Sequence, residues 1–219
     1  MNQKVLNISL PKDRSLDQLK NFAFLKKIVS EIELFFSNKE NFLLVCIKED
    51  LVRNYLFQAS LNSLNSKPII IDLKDKVFNL DNLKNSLVFI KNLSNEYLSN
   101  ESESFLFNAF NYCLNKNSKI IFISNDFIKN LNIKLPDLES RLNTVLPVDI
   151  LNPTDQEKMN LISFELQQRG LVIKDKEMKY IFNYHSRDLT SLLDLADKLD
   201  EISYREKKSI SINLIKKII

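Results

Sequence analysis

The sequence has almost no glycine: Gly170 is the single one among 219 residues. Nucleotide-binding loops of the dinucleotide-binding and P-loop kinds need several glycines. Their backbone must adopt positive φ angles and approach the phosphate oxygens without an intervening Cβ atom. A glycine-rich phosphate-binding loop is therefore excluded anywhere in this chain.

Cysteine and histidine are also scarce, with two cysteines and one histidine. Cys46 and Cys113 are too few for a disulfide framework, and both lie in apolar runs that are typical of buried thiols. One histidine, His185, cannot form a histidine-based metal cluster or catalytic pair. We therefore expect no metal site and a reducing, cytoplasmic location.

Neither charge nor hydropathy points to a nucleic acid or a membrane. The chain has 31 basic and 28 acidic residues and a net charge of +3, short of the concentrated positive field that non-specific DNA binding needs. No apolar run approaches the ~18 residues of a transmembrane helix, and the N-terminus lacks the features of a secretory signal. We predict a cytoplasmic protein with no membrane contact and no stable direct DNA binding.

From residue 15 to residue 150, short apolar runs alternate with longer helical patterns. The runs lie at 42–47, 68–72, 87–90, 120–123 and 145–150, and the helical patterns at 16–36, 51–64, 102–114 and 135–142. Continuous apolar strands separated by helices indicate a parallel sheet that is covered on both faces. The sequence therefore predicts an α/β domain built on a five-stranded parallel sheet.

The pattern changes after Pro153, and no further strand-like run follows. Thr154 and Glu157 have the spacing of a capping box, and Gly170 is placed to end the helix that they begin. Further helical patterns lie at 174–184, 187–204 and 210–218. We predict three segments: a polar arm at 1–14, the α/β domain at 15–150 and a small all-α domain at 151–219. The last is too small for a robust core of its own and should dock on the α/β domain.

Two charged segments receive a purely structural interpretation. Glu101 and Glu103 open a predicted helix, which indicates a favourable interaction with the helix dipole and no further role. The lysines at 207–208 and 216–217 are typical of the solvated face of an amphipathic helix.

A family resemblance begins at residue 135. Residues 135–142 read Leu-Pro-Asp-Leu-Glu-Ser-Arg-Leu, and they are followed by the strand at 145–150 and the helix opening Asn-Pro-Thr-Asp-Gln-Glu-Lys. Together with Gln-Arg-Gly at 168–170 and Ser-Arg-Asp-Leu-Thr-Ser-Leu at 186–192, this resembles the DnaA-related family of the AAA+ class. It is most similar to the Hda branch, the regulatory inactivators of DnaA. The resemblance covers residues 135–219 and implies an AAA+ sheet domain followed by a helical lid.

Arg141 falls where this family places its arginine finger, which reaches across a subunit interface to the γ-phosphate of a neighbour's ATP. A guanidinium suits this role because it is planar, always charged and able to make two parallel hydrogen bonds to phosphate oxygens. The alternative is a surface arginine that pairs with Asp137.

The family's own nucleotide site is altered in this sequence. Where the family has a glycine-rich loop after the first strand, residues 47–54 read Ile-Lys-Glu-Asp-Leu-Val-Arg-Asn. Glu49 and Asp50 repel phosphate, and Arg53 offers a single cation. At the end of the third strand, where an acidic residue should hold magnesium, stand Lys91 and Asn92. The resemblance thus implies a degenerate ATPase that needs no cofactor.

Two further positions correspond to nucleotide sensors in the family. Ser124 and Asn125 follow the fourth strand, at the first sensor position. Arg187 falls on the second, where the alternative is an ion pair with an acidic neighbour or a contact between the domains. A rival interpretation is that Arg53 and Arg187 still hold ADP.

The N-terminal arm resembles the peptide by which Hda proteins dock on the sliding clamp, the β subunit. Gln3, Leu6 and Ile8 carry this resemblance, since a glutamine can hydrogen-bond at a pocket rim while two apolar side chains fill a hydrophobic slot. The alternative is an edge strand or a frayed tail.

These residues together predict a regulator of chromosomal replication initiation. The arm would dock on the clamp, and Arg141 would act in trans on ATP-bound DnaA to promote its inactivation. Two alternatives stay open: an ADP-binding DnaA-like protein, and a non-catalytic interaction module of the clamp-loader kind.

Overall fold

A computed structural model of the chain describes residues 15–80, 83, 86–116, 118–150 and 152–219. The strands are β1 (Phe42–Cys46), β2 (Ile69–Asp72), β3 (Leu87–Leu93), β4 (Lys119–Ser124) and β5 (Pro147–Asp149). The helices of the first part are α1 (Leu16–Leu19), α2 (Ala23–Ser37), α3 (Asp50–Asn62), α4 (Asn100–Lys116) and α5 (Pro136–Leu142). Those of the second part are α6 (Asp155–Gln168), α7 (Asp175–Tyr184), α8 (Leu189–Glu206) and α9 (Ile212–Ile215).

The strands form one sheet in the order β2-β3-β4-β1-β5. Every neighbouring pair is parallel, so the predicted α/β class is confirmed. In a parallel sheet the carboxyl ends of all strands meet at one edge, which is where open α/β sheets bind ligands. The residues that follow β1, β2, β3 and β4 therefore come together at this edge.

Alternating side chains of the strands build a separate core on each face of the sheet. In β4, Ile121 and Ile123 belong to the core that includes α2, α3 and the C-terminal helices. Ile120 and Phe122 belong to the core on the opposite face, under α4 and α5. Residues 120–123 of β4 are therefore all apolar, as the continuous apolar run at these positions predicts.

The C-terminal helices share the first of these cores with the α/β part. Leu161, Leu192 and Leu214 join α2 and α3 in one apolar cluster. Phe22 meets the ring of Phe164 edge to face, with 5.4 Å between the ring centroids. The helical segment thus docks on the sheet domain instead of relying on a core of its own.

Helix α6 begins and ends where the sequence predicts. The Thr154 side chain and Glu157 form a complete capping box, and the hydrogen bonds from Thr154 lower the pKa of the Glu157 carboxyl. At the other end, Gly170 has a φ of +74°. The amide of Gly170 bonds to the carbonyl of Gln167 and that of Leu171 to Leu166, which satisfies carbonyls that the helix end leaves free.

The helix predicted at 16–36 is wrong as a single element. The chain leaves the helix after Leu19 and re-enters it at Ala23, with Phe22 in extended geometry. This turn allows Leu19 and Phe22 both to be buried, so tertiary packing overrides the helical period. The last helix is also shorter than predicted, because after Ile215 the amides of Lys217 and Ile218 bond to carbonyls three residues back, a tighter winding.

Both cysteines are free and buried, as predicted. Burial raises the pKa of Cys46 to about 12 and that of Cys113 to about 11, so neither thiol is a nucleophile at neutral pH. Across the described ranges, no helix is both long enough and apolar enough to span a membrane.

Candidate functional site

Arg141 lies in the last turn of α5, and its side chain is half-buried. The guanidinium carbon lies 5.4 Å from the ring centre of Phe107 and 5.8 Å from that of Phe110, both in α4. Such contacts hold a cation by attraction to the ring faces without neutralising its charge. Within the described part of the chain, Arg141 makes no ion pair, and the alternative of pairing with Asp137 is wrong.

Helix α5 is fixed by its apolar face and by a contact from α4. Leu138 and Leu142 are fully buried in the core on that side of the sheet. Pro136 occupies the first turn, and the N-cap residue Leu135 has no side-chain oxygen to offer. Instead, Glu103 of α4 accepts hydrogen bonds from the backbone amides of Lys134 and Leu135, at 2.9 and 2.7 Å. The interpretation of Glu103 as a dipole partner with no further role is wrong.

The loop after β1 is folded around Arg53, whose side chain is 12% exposed. Its guanidinium donates to the carbonyl oxygens of Ile47 and Lys48, at 2.5 and 2.7 Å. It also donates to the carboxylate of Asp50 at 2.9 Å. The loop therefore presents carbonyl oxygens to an internal cation, whereas a phosphate-binding loop presents amide groups to an external anion.

The end of β3 is distorted at Lys91 and Asn92. The pairing of β3 with β4 shifts register between Ile90 and Leu93, and Asn92 has a φ of +59°. The Asn92 amide donates to Asp72 of β2 at 2.6 Å, and the Lys91 ammonium lies 3.9 Å from the same carboxylate. Asp72 of β2 thus places a carboxylate at this edge, and neighbouring side chains engage it.

Ser124 ends β4 and is buried. Its hydroxyl oxygen lies 2.9 and 2.6 Å from the backbone carbonyl oxygens of Leu93 and Asp126, which share its single proton, so it fixes the loop geometry. The next residue, Asn125, lines a cleft at the carboxyl edge of the sheet.

This cleft has a volume of about 410 Å³ and is bordered by Asp50, Asp72 and Glu96 as well as by Arg53. A hydrogen bond to Glu96 raises the pKa of the Tyr97 hydroxyl, and the charges of Asp72 and Asp50 add to the shift. Within the described ranges, no group of three or more histidine, cysteine, aspartate or glutamate side chains is arranged to hold a metal ion.

Arg187 does not line this cleft and lies just before α8. Its guanidinium bonds to Asp155 of α6 at 2.7 Å and to the carbonyl of Phe182 at 3.0 Å. The side chain is 55% exposed. Of the interpretations that the sequence leaves open, pairing with an acidic neighbour is the one observed, and both partners belong to the helical segment.

The predicted clamp-binding residues Gln3, Leu6 and Ile8 lie outside the described residues, as does the whole arm at 1–14. The structure therefore brings together Arg53, Asp72 and Asn125 at the sheet edge, while neither Arg141 nor Arg187 lines that cleft. Sequence reasoning missed Asp72 and Glu103. The signal for Asp72 was its position as the last residue of an apolar strand.

Comparisons with known proteins agree with this architecture. The model of the Hda lid domain matches residues 155–219. An uncharacterized protein of Haemophilus influenzae is 29% identical over 142 residues, which cover 64% of this chain and 62% of that protein. The chromosomal replication initiator protein DnaA of Buchnera aphidicola is 25% identical over 126 residues, which cover 57% of this chain and 29% of that protein. The chain thus spans less than two thirds of either relative.

Among solved structures, domain III of the Thermotoga maritima replication initiation protein DnaA shares the fold. The TM-score is 0.72 at 13% sequence identity, over 93% of this chain and 94% of that one. The similarity of fold extends over the sheet and the helical segment that follows it, and the lid model matches that helical segment. The chain therefore has the fold of DnaA domain III, its residues 155–219 match the Hda lid domain, and it is similar in sequence to a DnaA protein.

Proposed function

We propose that this protein regulates replication initiation by offering Arg141 to ATP-bound DnaA, whose ATP hydrolysis it promotes. One observation carries the proposal: a half-buried arginine, supported on two aromatic rings, that makes no ion pair within the described part of the chain. An arginine without an internal counter-charge is available to an anion on another molecule. The relatives named above suggest the partner, the replication initiator DnaA.

The chemistry follows from the charge that develops during phosphoryl transfer. Charge spreads over the oxygens of the transferred phosphoryl group, and a guanidinium brought against them stabilises the transition state more than the ground state. An arginine supplied in trans accelerates such reactions by about 10³–10⁵-fold. In this proposal, hydrolysis takes place on DnaA, and this chain supplies the cation.

The proposal assigns no nucleotide to the chain itself. ATP with magnesium needs amide groups for the phosphates and a carboxylate for the metal ion. Residues 47 and 48 direct carbonyl oxygens at Arg53, and Asp72 is engaged by Asn92 and Lys91. The residues at the sheet edge therefore do not fit the group that an AAA+ fold implies.

Nucleotide binding provides the first test. We expect that neither ATP nor ADP, with magnesium, binds with micromolar affinity in isothermal titration, and that neither shifts the unfolding midpoint. A ligand at about 100 times its Kd stabilises a native protein by about 2.7 kcal/mol, so a functional nucleotide site would produce a clear shift of the unfolding midpoint. Micromolar binding, or ADP retained through purification, would favour the ADP-binding interpretation instead.

The N-terminal arm provides the second test. We expect the sliding clamp to retain the wild-type protein in a pull-down. The double variant Gln3→Ala, Leu6→Ala should lose most of this retention, because it removes both the hydrogen-bonding side chain and an apolar anchor. Asn7→Ala, between the proposed contacts, is the matched control. Equal retention of all three proteins would remove the arm from the proposal.

The function itself is tested by adding the wild-type protein to ATP-loaded DnaA together with DNA-loaded clamp. The expected result is faster conversion of bound ATP to ADP than with clamp alone. Binding to DnaA with no change in hydrolysis would instead identify a non-catalytic interaction module.

A further inference from the structure

We propose that Glu103 is a positioning residue for Arg141: it caps α5 from the neighbouring helix and so holds the guanidinium over its aromatic support. The inference rests on the proposed function for its consequence in catalysis. Its structural part concerns this chain alone and can be tested without DnaA.

The contact is specific and buried. Glu103 is 2% exposed, and one carboxylate oxygen accepts both the Lys134 and the Leu135 amides, at 2.9 and 2.7 Å. Ordinarily, a serine, threonine, aspartate or asparagine at the N-cap satisfies the free amides of a helix. Here the N-cap is Leu135, and a carboxylate from another helix provides acceptors at the entry to α5. A negative charge also suits the positive end of the helix dipole.

The same face of α4 supports Arg141. Glu103, Phe107 and Phe110 stand at positions i, i+4 and i+7, which lie on one side of a helix. Glu103 holds the beginning of α5, and the two rings lie beneath the guanidinium in its last turn. Phe110 is itself fixed by stacking on Phe42, with ring centroids 3.9 Å apart. The α4 face thus holds α5 at both ends.

Helix α5 needs such support because it is only seven residues long. A helix of this length is not stable alone in water, so tertiary contacts determine its geometry. The buried Leu138 and Leu142 fix which side faces the core, and they do not satisfy the amides at the entry. Without the Glu103 carboxylate we expect the first turn to fray and Arg141 to sample several orientations. A misplacement of about 1 Å can cost a reaction about 10²-fold.

The structural arm of the test uses NMR on the chain alone, comparing wild type with Glu103→Ala and Glu103→Gln. In Glu103→Ala we expect the amides of Lys134 and Leu135 to lose their protection from hydrogen exchange. The ring-current shift of the Arg141 side-chain resonances should also decrease. Glu103→Gln keeps an acceptor oxygen in the same place and should retain most of both signals. Glu101→Ala, an exposed change in the same helical turn, is the matched control.

The catalytic arm measures hydrolysis and binding separately. Glu103→Ala should slow the stimulated ATP hydrolysis by about 10²-fold with an unchanged Kd for DnaA, and Glu103→Gln should restore most of the rate. If Glu103→Ala does not fold, Glu103→Asp takes its place, since it keeps the charge but is one methylene shorter and should not reach the Lys134 and Leu135 amides. This variant should then lose rate, amide protection and ring-current shift.

Unchanged exchange and ring-current shifts in folded Glu103→Ala, or in Glu103→Asp where that variant replaces it, overturn the inference. A wild-type protein that fails to stimulate DnaA refutes the proposed function instead, and the NMR arm still decides whether Glu103 positions Arg141. Normal NMR signals in Glu103→Gln together with a rate as low as that of Glu103→Ala also contradict positioning, because the charge and not the geometry would then matter.

Discussion

Arg141→Ala is expected to abolish the stimulated hydrolysis of DnaA-bound ATP, a decrease of about 10³-fold or down to the rate without this protein. Alanine removes the cation that stabilises the charge developing in the transition state, and it leaves the rest of the interacting surface unchanged. The measurement is a single-turnover assay that follows bound ATP to ADP in the presence of DNA-loaded clamp. Binding of the variant to DnaA should stay near the wild-type value.

Two controls make this result specific. Arg141→Lys keeps a positive charge but loses the planar, two-pronged donor geometry, so it should recover little of the rate. Arg205→Ala removes an exposed arginine of α8, far along the chain from α5, and should leave the rate unchanged. A wild-type rate for Arg141→Ala would exclude Arg141 from the mechanism, even if the protein still inactivates DnaA by another route.

Arg53→Ala is expected to lower the free energy of unfolding by about 2–3 kcal/mol. The variant loses hydrogen bonds from a charged donor and removes the guanidinium from the carbonyls of Ile47 and Lys48. Hydrogen bonds to charged groups contribute about 1.5–3 kcal/mol each, and an unsatisfied buried acceptor costs about 1–3 kcal/mol. Part of this cluster is exposed to solvent, so water replaces some of the lost partners. We therefore expect the total decrease in the free energy of unfolding to equal about one such hydrogen bond. The change is measured by urea unfolding, with the same dependence of the free energy of unfolding on urea concentration fitted to wild type and variant.

The matched control is Arg187→Ala, which breaks an exposed pair with Asp155. Such pairs contribute about 0–1 kcal/mol, so this variant should differ from Arg53→Ala by more than the error of the method. If both variants unfold at the same urea concentration, Arg53 does not hold the loop after β1. Gain of ATP binding by Arg53→Ala would further show that the arginine alone blocks the site.

The sheet could be predicted from sequence because its signals are local. Each strand is a continuous apolar run, and the Thr154 and Glu157 pair marks the start of α6 within four consecutive residues. The break at Phe22 could not be predicted in this way, since it depends on Phe164, which is distant in sequence. Local periodicity reports which residues are apolar, and tertiary packing decides how the chain turns to bury them.

The candidate site was less accessible to sequence reasoning for the same reason. The family resemblance singles out Arg141 and Arg53, but it does not reveal what each guanidinium contacts. Arg53 turns back toward carbonyls five and six residues earlier, and Glu103 reaches amides 31 and 32 residues later. No spacing rule for helices or strands anticipates contacts of this kind, so they emerge only from the folded chain.

In the proposed function, the Arg141 guanidinium contacts the γ-phosphate of ATP held by DnaA. A structure of this protein in complex with DNA-loaded clamp and with DnaA bound to a non-hydrolysable ATP analogue tests that contact. We expect guanidinium nitrogens within about 3 Å of γ-phosphate oxygens, with the side chain extending from the α4 rings toward the interface. A complex in which α5 faces away from the nucleotide would exclude the contact.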